Sequence, residues 1–192
     1  MQYSEELDLI ERAKDGDSQA FRKLVERHQR FVYSVAHRFT NNGSEAEDIA
    51  QEVFLKLWKN LKNYKQDIKL TTWLYKIITN HCLDYLKSRS RKQQMNNVEM
   101  KMSIQIADEI NHEQQIEDRE LLQIVTALAK RLTFKQQAVF VLRDLEGLAV
   151  EEIGDILDMS ASNLKSNLYH ARQKIREDLT LYYKESTKSF KL

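Results

Sequence analysis

The sequence predicts an all-α protein: two small helical domains joined by a flexible linker, the second containing a helix-turn-helix. Three observations carry that prediction. The chain has no Pro and only 4 Gly among 192 residues, so little in it breaks a helix. Apolar residues recur over long stretches at three- and four-residue steps, with no competing strand-like alternation. The periodicity decays into polar residues between about residues 88 and 111, which divides the chain into domains 1–90 and 113–192 with a linker at 91–112.

The first helix is expected over residues 4–14. A longer one starts at Asp17 or Ser18 after the Gly16 turn, and Phe21, Leu24, Val25, Phe31, Val32, Val35 and Phe39 mark its buried stripe. Asn41-Asn42-Gly43 ends it. Ser44 with Glu47 three residues on reads as a capping box opening the third helix, whose apolar face is Ile49, Val53, Phe54, Leu57 and Leu61. After a polar stretch at residues 62–69, a fourth helix over residues 71–87 buries Leu74, Ile77, Ile78, Cys82 and Leu86. Cys82 has no second Cys to pair with and reads as a small core residue. Arg89, Arg91 and Lys92 open the linker.

The second block, residues 113–183, begins with a helix carrying Leu121, Leu122, Ile124, Val125, Leu128 and Leu132. Thr133 and Gln136 form a capping box for the next, which ends near Gly147. Residues 150–179 then have helix-turn-helix spacing: a short helix over residues 150–157, a turn through Asp158, Met159 and Ser160, and a longer helix. Asp158 stands where the turn calls for a left-handed backbone, and Gly154 would let the two helices approach closely.

Composition bounds the function. A net charge of +1 means that any nucleic-acid surface must be local. One Cys, an acid-containing N-terminus without a signal-peptide core, and no apolar run near the roughly 20 residues a membrane span needs point to a soluble cytoplasmic protein with no membrane insertion. No catalytic set, cofactor motif or metal site emerges: His112-Glu113 is followed by Gln114, Gln115 and Ile116, so the second His of a zinc-protease helix is missing.

Three surfaces carry candidate chemistry. In the last helix Leu164, Leu168, Ala171, Ile175 and Leu179 face inward, leaving Asn163, Ser166, Asn167 and His170 outward, flanked by Lys165, Arg172, Lys174 and Arg176. Amides and hydroxyls read base edges while Lys and Arg hold phosphates, which is what a recognition helix needs; a plain amphipathic helix with a solvated face is the alternative. In the third helix Asp48, Gln51, Glu52 and Leu55 line a face opposite the buried stripe, with Trp58 one turn on. A hydrophobe among exposed acids suits a partner protein, although acids early in a helix also complement its dipole and Trp58 could be core. The stretch Lys62, Asn63, Tyr64, Lys65, Gln66, Asp67, Ile68, Lys69, leading into Thr71, Thr72, Trp73, Lys76 and Asn80, interleaves lysines with an aromatic and amides. That suits an unpaired DNA strand, and a solvated loop is the alternative.

In this order the pieces resemble the extracytoplasmic-function (ECF) sigma factors over nearly the whole chain. Ala46-Glu47-Asp48-Ile49-Ala50-Gln51-Glu52-Val53-Phe54-Leu55-Lys56-Leu57-Trp58 resembles the region-two helix that grips the polymerase clamp. Thr72-Trp73-Leu74-Tyr75-Lys76-Ile77 with Asn80 and Asp84 is similar to the minus-ten region. Residues 132–145, then Glu146-Gly147-Leu148 and Glu151-Glu152-Ile153, resemble region four leading into its helix-turn-helix, and Leu164-Lys165-Ser166, Leu168 and Ala171-Arg172 resemble the minus-thirty-five recognition helix. The resemblance implies sigma-two and sigma-four domains, a non-enzymatic role, and bacterial core RNA polymerase, promoter DNA and an anti-sigma factor as partners, the free protein being a monomer.

It implies core-polymerase contacts at Asp48, Gln51, Glu52 and Leu55; minus-ten contacts at Asn63, Tyr64, Lys65, Gln66, Lys69, Thr72, Lys76 and Asn80; and minus-thirty-five contacts at Ser162, Asn163, Lys165, Ser166, Asn167, His170 and Arg172. The chain departs from the family pattern at Thr133, where Pro is common, and at Ala149, where a hydroxyl residue usually caps the helix. Ser162 and Asn163 replace the usual Gly-Thr, and Asn167 and His170 stand where Arg is common. The main rival reading is a self-sufficient helix-turn-helix repressor that binds operator DNA without polymerase. A helical enzyme or metal carrier is more distant.

Overall fold

A computed structural model describes residues 2–95 and 113–189. Among the described residues eight α-helices run in the order α1 (Gln2–Lys14), α2 (Ser18–Thr40), α3 (Gly43–Asn60), α4 (Leu70–Met95), α5 (Glu113–Ala129), α6 (Phe134–Phe140), α7 (Val150–Leu157) and α8 (Ala161–Ser189). A 3-10 turn, Leu61–Asn63, follows α3, and a π-helical segment, Val141–Leu145, follows α6. The chain divides into two units, Met1–Asp84 and Tyr85–Leu192.

In the first unit, α2 starts where Asp17 accepts hydrogen bonds from the Gln19 and Ala20 amides at 2.9 and 3.0 Å, while Arg12 closes on its other oxygen at 2.6 Å. The Ala20 amide first, and then Arg12, hold the Asp17 carboxyl below its ordinary range. The helix ends at Asn41, in the left-handed conformation (φ 46°) that Asn tolerates. The next cap differs from the sequence expectation. Asn42, extended at φ −153°, accepts from the Glu45 amide at 3.0 Å, so α3 begins at Gly43 and Ser44 lies inside its first turn rather than capping it.

The core of this unit is built from Leu9 and Ile10 of α1, Leu24, Val32, Val35 and Phe39 of α2, Ile49, Val53 and Leu57 of α3, and Leu74, Ile78 and Cys82 of α4. Burial pushes the Cys82 thiol up to about 12, so it stays protonated and inert. Phe21 and Phe31, expected in the stripe, lie at its margin: Phe21 packs its ring on Trp58 at 4.6 Å, and Phe31 meets Tyr75 edge-on at 4.8 Å. α4 overruns its expected end at Lys87, because no Gly or Pro interrupts Ser88 to Met95. Arg89, Arg91 and Lys92 therefore belong to this helix, not to a linker; linker residues 96–112 lie outside the described residues.

The second unit packs Ile124, Leu128, Ala129, Leu132, Phe140, Ala171 and Ile175 into one cluster. Thr133 and Gln136 form the expected capping box, with reciprocal hydrogen bonds of 3.4 and 3.2 Å. The helix that follows widens into the π segment before Gly147, which turns at φ 74°. α7 opens at Ala149, which has no capping oxygen; only the return bond exists, from the Ala149 amide to Glu152 Oε2 at 3.2 Å. Asp158 adopts the left-handed conformation (φ 52°) expected of it. The reason for Gly154 is different from the expected helix approach: a Cβ there would come within 3.1 Å of the Met159 carbonyl, so the glycine makes room for the turn itself.

Candidate polymerase- and DNA-binding surfaces

On α3 the core residues Ala46, Ile49, Val53 and Leu57 leave the opposite face to Asp48, Gln51, Glu52 and Leu55, all exposed. Leu55 is 51% and Trp58 38% exposed, so one helical face carries two large apolar side chains beside three polar ones. Trp58 is held by Phe21 and keeps an outer surface. Behind this face Lys56 donates to His81 Nδ1 at 2.6 Å, pinning α3 to α4. Burial first, then the Lys56 charge, lowers the His81 pKa.

The stretch after α3 is more ordered than a solvated loop. Tyr64 is buried: its ring lies 5.2 Å from that of Trp73, and its hydroxyl donates to the Ile68 carbonyl at 2.6 Å, closing residues 64–68 on themselves. Tyr64 is one of the residues expected to meet the minus-ten strand. In the structure its ring is used up by packing, because Trp73 at the start of α4 supplies an apolar partner. Gln66 is exposed but donates to Glu11 Oε1 at 2.8 Å, the same oxygen that accepts from Lys14, also at 2.8 Å. Lys14 and then Gln66 hold the Glu11 carboxyl below its ordinary range. Asn63, Lys65, Lys69, Lys76 and Asn80 are exposed, and Thr72 is half-buried. These polar groups rim a stretch braced from below by Tyr64 and Trp73 and from the side by α1.

On α8 the inward residues Leu164, Leu168, Ala171 and Ile175 are buried, as the spacing requires. Ser162, Asn163, Lys165, Ser166 and His170 are exposed. Ser160 precedes the helix and accepts from the Asn163 amide at 3.3 Å. Asn167 is half-buried and bends its amide back to the Asn163 carbonyl at 2.8 Å. Arg172 departs from the expected phosphate contact: its guanidinium is clasped by both carboxylate oxygens of Asp144 in the π segment, at 2.9 and 2.6 Å. That hydrogen-bonded pair raises the Arg172 pKa further. Lys174, also named as a flanking cation, is paired with the buried Asp178 at 3.0 Å.

Two residues escaped the sequence reading. Tyr169 is 66% exposed between Lys165 and His170, and the signal for it was an aromatic at a position the periodicity turns outward. Asp144 has no local signal, since its partner is 28 residues away.

A helix-turn-helix unit paired with a second helical unit that carries an acidic-apolar face and a braced polar loop defines a transcription factor with two unlike surfaces, not one repeated DNA reader. Comparison with known families specifies which. Sigma-70 region 2 matches residues 24–92 and sigma-70 region 4 matches residues 122–175. The ECF RNA polymerase sigma-E factor of Escherichia coli K12 is 31% identical over 173 residues, covering 87% of this chain and 90% of that protein. The ECF RNA polymerase sigma factor SigW of Bacillus subtilis 168 is 30% identical over 177 residues, covering 88% and 94%. The chain belongs to the ECF RNA polymerase sigma factors.

Among solved structures, the sigma factor RpoE in complex with the anti-sigma factor NepR from Bartonella quintana matches 83% of this chain and 96% of its own, with a TM-score of 0.67 at 20% identity. CnrH, in complex with the cytosolic domain of CnrY, matches 92% and 98% with a TM-score of 0.62 at 19% identity. At that identity the likeness shows a shared fold. Among the described residues no helix is long and apolar enough to cross a membrane, and no three His, Cys, Asp or Glu side chains are grouped to hold a metal ion.

Proposed function

We propose that the exposed α3 face, Asp48, Gln51, Glu52 and Leu55 with Trp58, docks on core RNA polymerase; that the stretch 62–69 and the start of α4 hold the opened minus-ten strand; and that α8 reads the minus-thirty-five element. The observation that carries this reading is the presence, on a chain of this family, of two dissimilar exposed surfaces in two units, where an operator-binding repressor would repeat a single one. The sigma-two role belongs to residues 1–90 and the sigma-four role to residues 113–192. Within the minus-ten set Asn63, Lys65, Gln66, Lys69, Thr72, Lys76 and Asn80 face the strand, while Tyr64 supports them from the core. Within the minus-thirty-five set Ser162, Asn163, Lys165, Ser166, Asn167 and His170 face DNA.

In this reading the chain is not an enzyme: it selects the start site in the cytoplasm, and the polymerase carries out the chemistry. Control by an anti-sigma factor fits the same surfaces, since a partner covering the α3 face would exclude polymerase. Mixing the protein with sigma-free core polymerase and genomic DNA, then mapping transcript starts, should yield a discrete set of starts that require the chain and share two spaced elements. A symmetric footprint on palindromic DNA without polymerase, and no new starts with it, would establish the repressor instead.

A further inference from the structure

Lys165, Tyr169, Arg172 and Arg176 are spaced four, three and four residues apart, so they fall on one stripe of α8. The stripe lies between the buried face and the polar face of Asn163, Ser166 and His170. Lys165 and Arg176 are exposed and make no ion pair among the described residues. Arg172 lies between them, about 10 Å along the helix from Lys165 at 1.5 Å per residue. Three cations in that register would track a DNA backbone, but the middle one is clasped by both oxygens of Asp144 at 2.9 and 2.6 Å. Asp144 is well placed to hold it: its side chain is 21% exposed, against 54% for Arg172, and it sits in the π segment. A bidentate guanidinium–carboxylate pair of this geometry is the kind of surface pair that persists.

We propose that Asp144 is a specificity-determining residue that withholds Arg172 from DNA phosphates and so holds down sequence-independent binding by α8. The inference rests on the reading of α8 as the DNA-facing helix. A phosphate contact adds affinity to every sequence alike, whereas base contacts add it only to the promoter. Removing one cation from the stripe therefore raises the ratio of promoter to non-promoter binding. The pair also fixes the rotation of α8 against the π segment, which a free arginine would not do.

The test is the salt dependence of binding of the full-length chain to a non-promoter duplex, followed by fluorescence anisotropy, with folding checked by circular dichroism. Asp144→Asn should free Arg172 and steepen the slope of log affinity against log salt by about 0.9, the value for one more phosphate contact. Non-promoter affinity should rise several-fold at low salt. Arg172→Gln alone should leave the slope as in the parent, and the double variant should return the Asp144→Asn slope to it. A slope that falls by about 0.9 in Arg172→Gln would show the arginine already on a phosphate and overturn the inference, even if Asp144→Asn failed to fold. So would a folded Asp144→Asn protein with an unchanged slope. Lys165→Gln separates the two levels: if it lowers the slope while Asp144→Asn does not raise it, only the withholding of Arg172 is wrong. If Lys165→Gln changes nothing, the assignment of α8 to DNA fails as well.

Discussion

Leu55 and Leu57 stand two residues apart on α3, and the helical turn sends them to opposite environments: Leu57 is fully buried and Leu55 is 51% exposed. The same substitution should therefore do two different things. Leu57→Ala removes core methyls and leaves a cavity, so it should cost about 2 to 5 kcal/mol of unfolding free energy, measurable by urea denaturation. Leu55→Ala should leave the denaturation midpoint almost unmoved and weaken binding to core polymerase, read as a smaller fraction of holoenzyme at equilibrium at equal concentrations. Undiminished polymerase affinity for a folded Leu55→Ala protein would place the interface on another face. Asp48 and Glu52 border Leu55 on the same face, so their charge reversal belongs to the same class of variant, one that alters docking and not folding.

At the scale of elements, the stretch between α3 and α4 owes its shape to Tyr64. Its ring against Trp73 and its hydroxyl on the Ile68 carbonyl hold a short excursion whose rim carries the polar groups. Tyr64→Phe keeps the ring and loses one hydrogen bond, so it should lower stability by about 1 kcal/mol while leaving the packing intact. Asn63→Ala, at an exposed position, should leave stability alone and reduce promoter opening, followed by permanganate reactivity of unpaired thymines. If the two variants exchange these effects, Tyr64 is the base contact and Asn63 the brace.

Much of the fold was legible because the signals that define it are local. Helical spacing placed the core stripes, Thr133 with Gln136 announced a start, and Asp158 marked the left-handed turn. Local signals also misplace a boundary: Ser44 with Glu47 matches a capping pattern, but Asn42, in the cluster that ends α2, is the residue whose side chain accepts from the Glu45 amide. The exposed candidate faces were legible only where exposure follows from helix phase, as on α3 and along Asn163, Ser166 and His170. What the sequence concealed was contact between distant residues. Nothing near Tyr64 says that Trp73 will cover it, and nothing near Arg172 says that Asp144 will take its guanidinium.

For the whole molecule, the near-neutral net charge of +1 means that DNA binding cannot be a property of the entire surface. The exposed cations that the proposed reading sets against DNA are Lys62, Lys65, Lys69 and Lys76 in the first unit and Lys165 and Arg176 in the second. Because these patches belong to separate units with separate cores, damage to one should leave the other working, and the two losses should be distinguishable on a single promoter. Replacing residues 62–69 with a Gly-Ser segment of equal length removes the Tyr64 brace and the polar rim together. The resulting holoenzyme should still protect the upstream element in a footprint, yet show no permanganate-reactive thymines on duplex DNA. Asn167→Ala should do the reverse: an altered upstream sequence preference, by roughly 1 to 3 kcal/mol for a good base contact, with melting intact on promoters that still bind. Extruding a base costs a few kcal/mol, so melting needs groups that reward the open state, which this reading assigns to residues 62–69 and not to α8. Melting that survives the Gly-Ser replacement would make residues 62–69 a connector. The base-holding groups would then have to lie on α4 itself, where Lys76 and Asn80 are the exposed polar residues one and two turns beyond Thr72.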